Sequence, residues 1–289
     1  RSTRKESSAA SDVYKRQMDV NVIYFLGTQS VRFNQKFALE DFDYQYNTVY
    51  DYAKLAKVDV LIIAYGSLCI FQKNEDKQAF LDKFAGIPYV LLEDATDDPR
   101  GIYVMVDNFG GMQKCVEHLI IEHHLKHLVY LGGPEDNQDA IERKAAFLNV
   151  MAEHHLPVTP EMMAVGDYSE FVDNLVEQLL KDNPDAEAII SANDEMTVAC
   201  YRVCKAHGLR IGKDILITGF DDVERARYSN PPLTTASQDA YKMGQIAVEK
   251  AVDICAGRPV ESVRLDAELI IRESCGCKVT RRAKEKADE

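Results

Sequence analysis

The sequence has no apolar run near the roughly 18 residues that a membrane span requires, so no span is expected. It has no Gly-x-Gly-x-x-Gly. The nearest approach to a phosphate loop, Gly208-Leu209-Arg210-Ile211-Gly212-Lys213-Asp214, has three residues between its glycines instead of four. It also carries Asp where Ser or Thr would hold magnesium. The nucleophile elbow Gly-x-Ser-x-Gly is absent too, and no nucleophile–base pair supports a hydrolase, so an enzyme is not expected. Basic charge is scarce: 34 Lys and Arg against 47 Asp and Glu leave a net charge of -13. The first seventeen residues hold five basic and two acidic side chains, so the rest is more acidic still. Such a body repels phosphate backbones, which argues against direct nucleic-acid binding by this segment. A regular cysteine framework is also missing. Seven cysteines, an odd number, fit reduced thiols in a cytoplasmic protein. Residues 1–17 lack the apolar core of a signal peptide and read as a non-native or disordered leader.

What is present suits an α/β protein. With 289 residues, 46% of them hydrophobic, the chain can bury one large core or two lobes. Short apolar runs without helical period read as strands buried on both faces: Val20–Leu26, Val58–Ala64, Pro88–Leu92, Tyr103–Val106, His127–Leu131, Met163–Val165, Ala188–Ile190 and Ile215–Thr218. Segments of helical period lie between them: Tyr44–Lys57, Lys77–Phe84, Met112–His123, Ala140–His154, Glu170–Leu180, the helix after Asn193-Asp194, and Ala240–Ala256. Such alternation means βαβ units and a parallel sheet. Strands follow over Val263–Ile271, then a charged, solvated tail over residues 278–289.

The stretch from Ala186 to Thr235 organises the rest: strand, polar elbow, helix, strand, polar elbow. The elbows are Ser191-Ala192-Asn193-Asp194 and Gly219-Phe220-Asp221-Asp222. In open parallel sheets ligands bind at the carboxyl ends of strands, where these elbows fall. Asn193, Asp194, Asp221 and Asp222 can each be a helix cap when taken singly. Arg143, Tyr168 and Gln238 are equally unremarkable alone, but all follow predicted strands. Metal binding is less well supported. His118, His123, His124 and His127 are the best candidates, yet Leu125-Lys126 reads as a turn. They are taken as surface histidines at a helix end, where the dipole favours cations. Cys275-Gly276-Cys277 offers two ligands without nearby partners, a weak site. No metal and no cofactor is expected.

Ordered motifs carry a resemblance. VDNFGGM with VEHLI, LGGP with AIERKAAF, GDYS, SANDEM, ITGFDD, PPLTT with Gln238, KMGQIAVE and IRESCGC run from Val106 to Cys277. From about Met18 to Cys277 the chain resembles the effector-binding domain of LacI/GalR-family transcriptional regulators. The resemblance implies two doubly wound parallel-sheet lobes joined by three crossovers, like type I periplasmic sugar-binding proteins, with a ligand cleft between them. The crossovers are expected near Leu125, Thr235 and Val260. That gives an N-lobe of residues 18–125 plus 239–260 and a C-lobe of residues 126–238 plus 261–277. Arg143, Asn193 and Asp221 would hydrogen-bond a small effector, a sugar or similar metabolite. Gln238 would sit at the hinge, and Tyr168 would stack on the ligand ring.

The resemblance also implies a homodimer, and DNA contact only through a domain absent from this chain. Relatives begin with a strand and helix before the segment matching VNVIYFL, so a truncated N-lobe is expected, with a sheet edge uncovered. His124-Leu125 stands where a helix-ending glycine is usual. Two alternatives remain beside this reading: a sensor domain fused to a C-terminal signalling module, or a transport-type sugar-binding protein.

Overall fold

A computed structural model describes residues 20–26, 48–69 and 74–277. The chain forms two compact units and passes between them after Val106, after Asp239 and after Leu265.

The first unit is built on a parallel sheet in the order β1-β2-β3-β9: β1 (Leu61–Ile63), β2 (Tyr89–Leu92), β3 (Gly101–Val106) and β9 (Val263–Leu265). Strand β2 is buried along its whole length, as its uninterrupted apolar run requires. Its side chains alternate between two faces. Val90 and Leu92 join Met243, Ala247 and Ala251 of a helix over Ala240–Cys255, whose buried residues recur at helical spacing. Tyr89 and Leu91 join the opposite core with Tyr50, Tyr65, Phe80 and Phe84. That face is covered by three helices: α1 (Asp51–Leu55), α2 (Tyr65–Leu68) and α3 (Asn74–Asp82). Cover on both faces makes this a doubly wound layer.

Residues 20–26 do not form the expected buried strand. Ile23, Tyr24 and Leu26 are 58%, 40% and 83% exposed, and Phe25 only leans on the core. A strand apolar on both faces needs a pairing edge and two covering layers. Among the described residues β1 pairs with β2 alone.

The second unit carries a six-stranded sheet in the order β10-β8-β7-β6-β4-β5. Its strands are β4 (Leu128–Gly132), β5 (Met163–Val165), β6 (Ala188–Ser191), β7 (Leu216–Asp221), β8 (Thr234–Ser237) and β10 (Glu268–Ile270). All neighbours are parallel except β10, which runs antiparallel to β8. This departs from a wholly parallel sheet. Only Asp266 and Ala267 separate β9, the last strand of the first unit's sheet, from β10, which returns along the edge of the second sheet beside β8. The helices are α4 (Asn108–Glu117), α5 (Gln138–Glu153), α6 (Asp173–Asp182), α7 (Asp194–Ala206), α8 (Glu224–Tyr228) and, in the first unit, α9 (Ala240–Cys255).

Three boundaries shift from expectation, the last passage lying after Leu265 and not near Val260, so that β9 stays in the first unit. The first passage lies at Val106–Asp107 and not near Leu125, because α4 belongs to the second unit, where it packs on α5. Strand β7 also continues through Gly219 and Phe220, where the sequence pattern predicts an elbow. Here glycine answers a close approach and does not break the strand. A Cβ on Gly219 would lie 2.2 Å from the Asp194 carboxylate.

The core of the second unit centres on the stack of Tyr130 (β4) against Phe147 (α5), with centroids 4.9 Å apart and planes at 16°. Phe147 is fully buried. Phe147→Ala is expected to lower unfolding free energy by about 3–5 kcal/mol in urea titrations. A loss below about 1 kcal/mol would show that this stack does not hold the unit together.

Candidate functional site

The carboxyl ends of β4, β5, β6, β7 and β8 bring the site together. After β6, Asn193 caps α7: its backbone is extended (φ -150°, ψ 167°), and its Oδ1 accepts from Met196 N–H at 3.0 Å. Asp194 is the first helical residue and is buried. Its Oδ1 accepts from the Thr235 hydroxyl (2.7 Å) and its Oδ2 from Val223 N–H (3.0 Å). Burial first, and the nearby Asp221 charge second, push its pKa well above the ordinary carboxylate range. Asp194 therefore ties β8 to the loop after β7.

The end of β7 is strained. Asp221 has φ 118° and Asp222 φ 53°, both in the left-handed region that non-glycine residues enter at a cost of about 1–3 kcal/mol. The strain turns the two carboxylates apart. Asp222 pairs with Arg272 (2.5 Å) and Arg227 (3.4 Å). Asp221 Oδ1 accepts from Gln238 Nε2 at 2.6 Å and faces the Arg143 guanidinium at 3.4 Å.

Arg143 comes from the second turn of α5 and is only 2% exposed. Its Nε donates to Asn108 Oδ1 (2.8 Å), and one terminal nitrogen donates to Ala192 C=O (2.7 Å). The other lies 3.9 Å from Asp139. The guanidinium plane sits over Phe220, 3.7 Å from the ring centre. Burial works against its charge, but Asp221, Tyr168 and Asp139 outweigh it and hold its pKa above the ordinary value.

The five predicted residues fall into two hydrogen-bonded groups, with Tyr168 near enough to Arg143 for their charges to interact. Arg143, Asp221 and Gln238 form a continuous polar chain. Asn193 Nδ2 donates to the Tyr168 carbonyl at 3.3 Å, and the Tyr168 hydroxyl donates to Asn137 Oδ1 at 3.4 Å. Asn137 is in turn the cap of α5. Tyr168 has φ 65°, again left-handed. Gln238 adjoins the passage at Asp239–Ala240.

Sequence reasoning missed Asn108 and Asp139, which hold Arg143 and each other (Asn108 Nδ2 to Asp139 Oδ1, 2.8 Å). Their signals were available: Asp139 stands four residues before Arg143, and Asn108 follows a strand as the other site residues do. Phe220 was also unmarked, because a ring beneath a buried cation looks like core in sequence.

The histidines depart from expectation. His118 is 8% exposed and no surface residue; with His123 it faces Cys275 and Cys277. His127 lies elsewhere, 2.9 Å from Asp185. His124 takes φ 57° and supplies the left-handed helix-ending turn that glycine commonly makes.

This arrangement, polar groups at strand ends of a doubly wound sheet, defines an α/β binding module of the periplasmic-binding-protein kind. Residues 116–275 match the family model of the periplasmic binding protein-like domain. The chain is 30% identical over 216 residues to the HTH-type transcriptional regulator CelR of Thermobifida fusca, covering 72% of this chain and 62% of CelR. It is 29% identical over 198 residues to the HTH-type transcriptional repressor PurR of Aliivibrio fischeri (strain MJ11), covering 67% of this chain and 56% of PurR. It thus spans roughly three fifths of these regulators. Among solved structures it resembles a CelR–cellobiose complex, with TM-score 0.68, 27% identity, and coverage of 81% of this chain and 71% of that one. The chain belongs to the periplasmic binding protein-like domain family, as an effector-binding domain of the LacI/GalR type. Among the described residues no helix is long and apolar enough to cross a membrane.

Asp194 sets a pH dependence. Its folded pKa is raised, so above about pH 4, the unfolded carboxyl value, the native state keeps a proton that the unfolded chain has released. Stability from this group is full below that value and is lost as pH rises toward the folded one. Asp194→Asn lacks the term. The stability gap between wild type and variant is expected to narrow from about pH 4 to pH 7 in urea titrations. A gap that widens instead would mean a buried anion.

Proposed function

We propose that the chain is the ligand-sensing domain of a LacI/GalR-type transcriptional regulator and binds a sugar or similar polyhydroxylated metabolite through Arg143, Asp221, Gln238, Asn193 and Tyr168. The observation that carries this reading is the convergence of Arg143, Asp221 and Gln238 at the strand ends. A carboxylate accepts from two adjacent hydroxyls, a guanidinium donates to ring or hydroxyl oxygens, and the half-buried Tyr168 ring suits the apolar face of a pyranose. Asn193 retains one amide N–H beyond the bond to Tyr168. The cellobiose named with the related CelR structure supports the sugar class. In this reading the regulator acts as a homodimer and touches DNA outside the matched segment, in keeping with the net charge of -13.

Titration calorimetry against mono- and disaccharides, with nucleosides as a contrasting set, tests the proposal. A sugar is expected to bind, and Asp221→Ala is expected to weaken it about 10- to 100-fold, the worth of one charged hydrogen bond. Binding unchanged by the substitution would remove Asp221 from the site. A chain that binds nucleosides and no sugar would overturn the ligand class.

A further inference from the structure

Away from the strand-end cluster, four soft donor atoms meet within the second unit. His118 Nε2 lies 3.3 Å from Cys275 Sγ, 3.3 Å from His123 Nε2 and 3.6 Å from Cys277 Sγ. Cys277 Sγ lies 3.4 Å from His123 Nε2, and all four atoms fall within 4.8 Å of one another. Zinc bound tetrahedrally at about 2.05 Å to nitrogen and 2.3 Å to sulfur sets N···N edges near 3.3 Å and N···S edges near 3.5 Å. The four separations given above match that tetrahedron, and the remaining two stay within 4.8 Å. They do not suit four groups bonding only to one another: two imidazole nitrogens in direct apposition share at most one proton, and thiols are weak partners.

The backbone is shaped to the same end on both sides. After α4 the chain makes a π-helical turn over His118–Glu122. Five residues overshoot an α-helical turn of 3.6 and would send His118 and His123 to different faces. The wider π turn brings them together, and such turns recur at functional positions. Opposite, a 3-10 turn over Glu273–Cys275 ends at Gly276 with φ 84°, a left-handed residue between the two cysteines. This turn is fixed to the sheet: Ser274 Oγ accepts from Thr234 N–H (2.8 Å) and donates to Ile217 C=O (2.6 Å). His123, one of the four, and Gly276 also line a cavity of about 550 Å³.

We propose that His118, His123, Cys275 and Cys277 form a structural zinc site that clamps the π turn after α4 to the turn after β10. Four protein ligands close the coordination sphere, which is the structural and not the catalytic pattern. Two thiolates and one divalent ion sum to zero charge, so a site with Cys275 fully buried and His118 8% exposed is electrostatically reasonable.

The test uses the reduced chain equilibrated with zinc alone and then with Co(II). The expected result is about one zinc per chain by elemental analysis, with a Co(II) form that shows thiolate charge transfer and intense tetrahedral d–d bands. Cys277→Ser and His123→Ala, both at the less buried rim, are each expected to weaken zinc at least about 10-fold. Cys255→Ser, an exposed cysteine in the first unit, leaves affinity unchanged. Circular dichroism checks each variant, and if one fails to fold the other carries the same readout. Only trace metal bound by the reduced chain, a Co(II) spectrum without thiolate bands, or equal affinity in the folded rim variants would overturn the site.

Discussion

The buried guanidinium of Arg143 constrains the second unit more than any other single group. A full charge inside a protein must be met on every side, and this one is met by four separate segments: Asn108 at the start of α4, Asp139 on its own helix, Ala192 after β6 and Asp221 at the end of β7. Phe220 closes the fifth side. Such a pair is weak evidence for stability, since an apolar replacement of both partners is often neutral or better, while loss of one partner strands a charge. Arg143 therefore makes sense as a fixed donor for something that competes for Asp221, and less sense as a mere brace.

The loop carboxylates divide the labour around that charge. Asp194, buried and pushed toward its neutral form, bonds Thr235 and Val223 and sets the spacing between β8 and the loop after β7. Asp221 alone is left as the counter-charge of Arg143 beside Gln238. Asp222 turns away to Arg272, which also donates to the Leu233 carbonyl at 2.8 Å. Arg272 lies three residues before Cys275. The strand-end site and the Cys–His cluster are thus joined by one ion pair and a short run of backbone.

How far the sequence revealed this depends on the range of each interaction. Buried strands such as Leu128–Gly132 and Ala188–Ser191 were legible because burial on both faces demands an apolar run. The helix start after β6 was legible because Asn193 caps its own turn. Of the five residues that the LacI/GalR resemblance points to, Arg143, Asp221 and Gln238 form one hydrogen-bonded group and Asn193 and Tyr168 another. Residues 20–26 misled because an apolar run records what a strand could bury, and not whether a partner is there to bury it against. Gly219 misled because glycine signals a close approach as readily as a break. His118 and Cys275 were illegible as partners: 157 positions separate them, and their meeting depends on a π turn that no local pattern announces.

The left-handed residues draw these threads together. Tyr168, Asp221 and Asp222 all hold φ values that side-chain-bearing residues avoid, while the strands beneath them are regular. At about 1–3 kcal/mol each, this strain cannot persist unless neighbouring bonds over-determine the backbone. Those bonds are present. The Tyr168 carbonyl is held by Asn193, Asp222 N–H reaches Thr235 Oγ1 at 3.4 Å, and both Asp221 and Asp222 face arginines. Had the strands ended in relaxed turns, Asp221 and Asp222 would not diverge, and Arg143 would lose its only ion-pair partner on β7. Backbone strain and the buried cation are therefore one device: each makes the other affordable, and together they fix Asp221 and Gln238 before any ligand arrives.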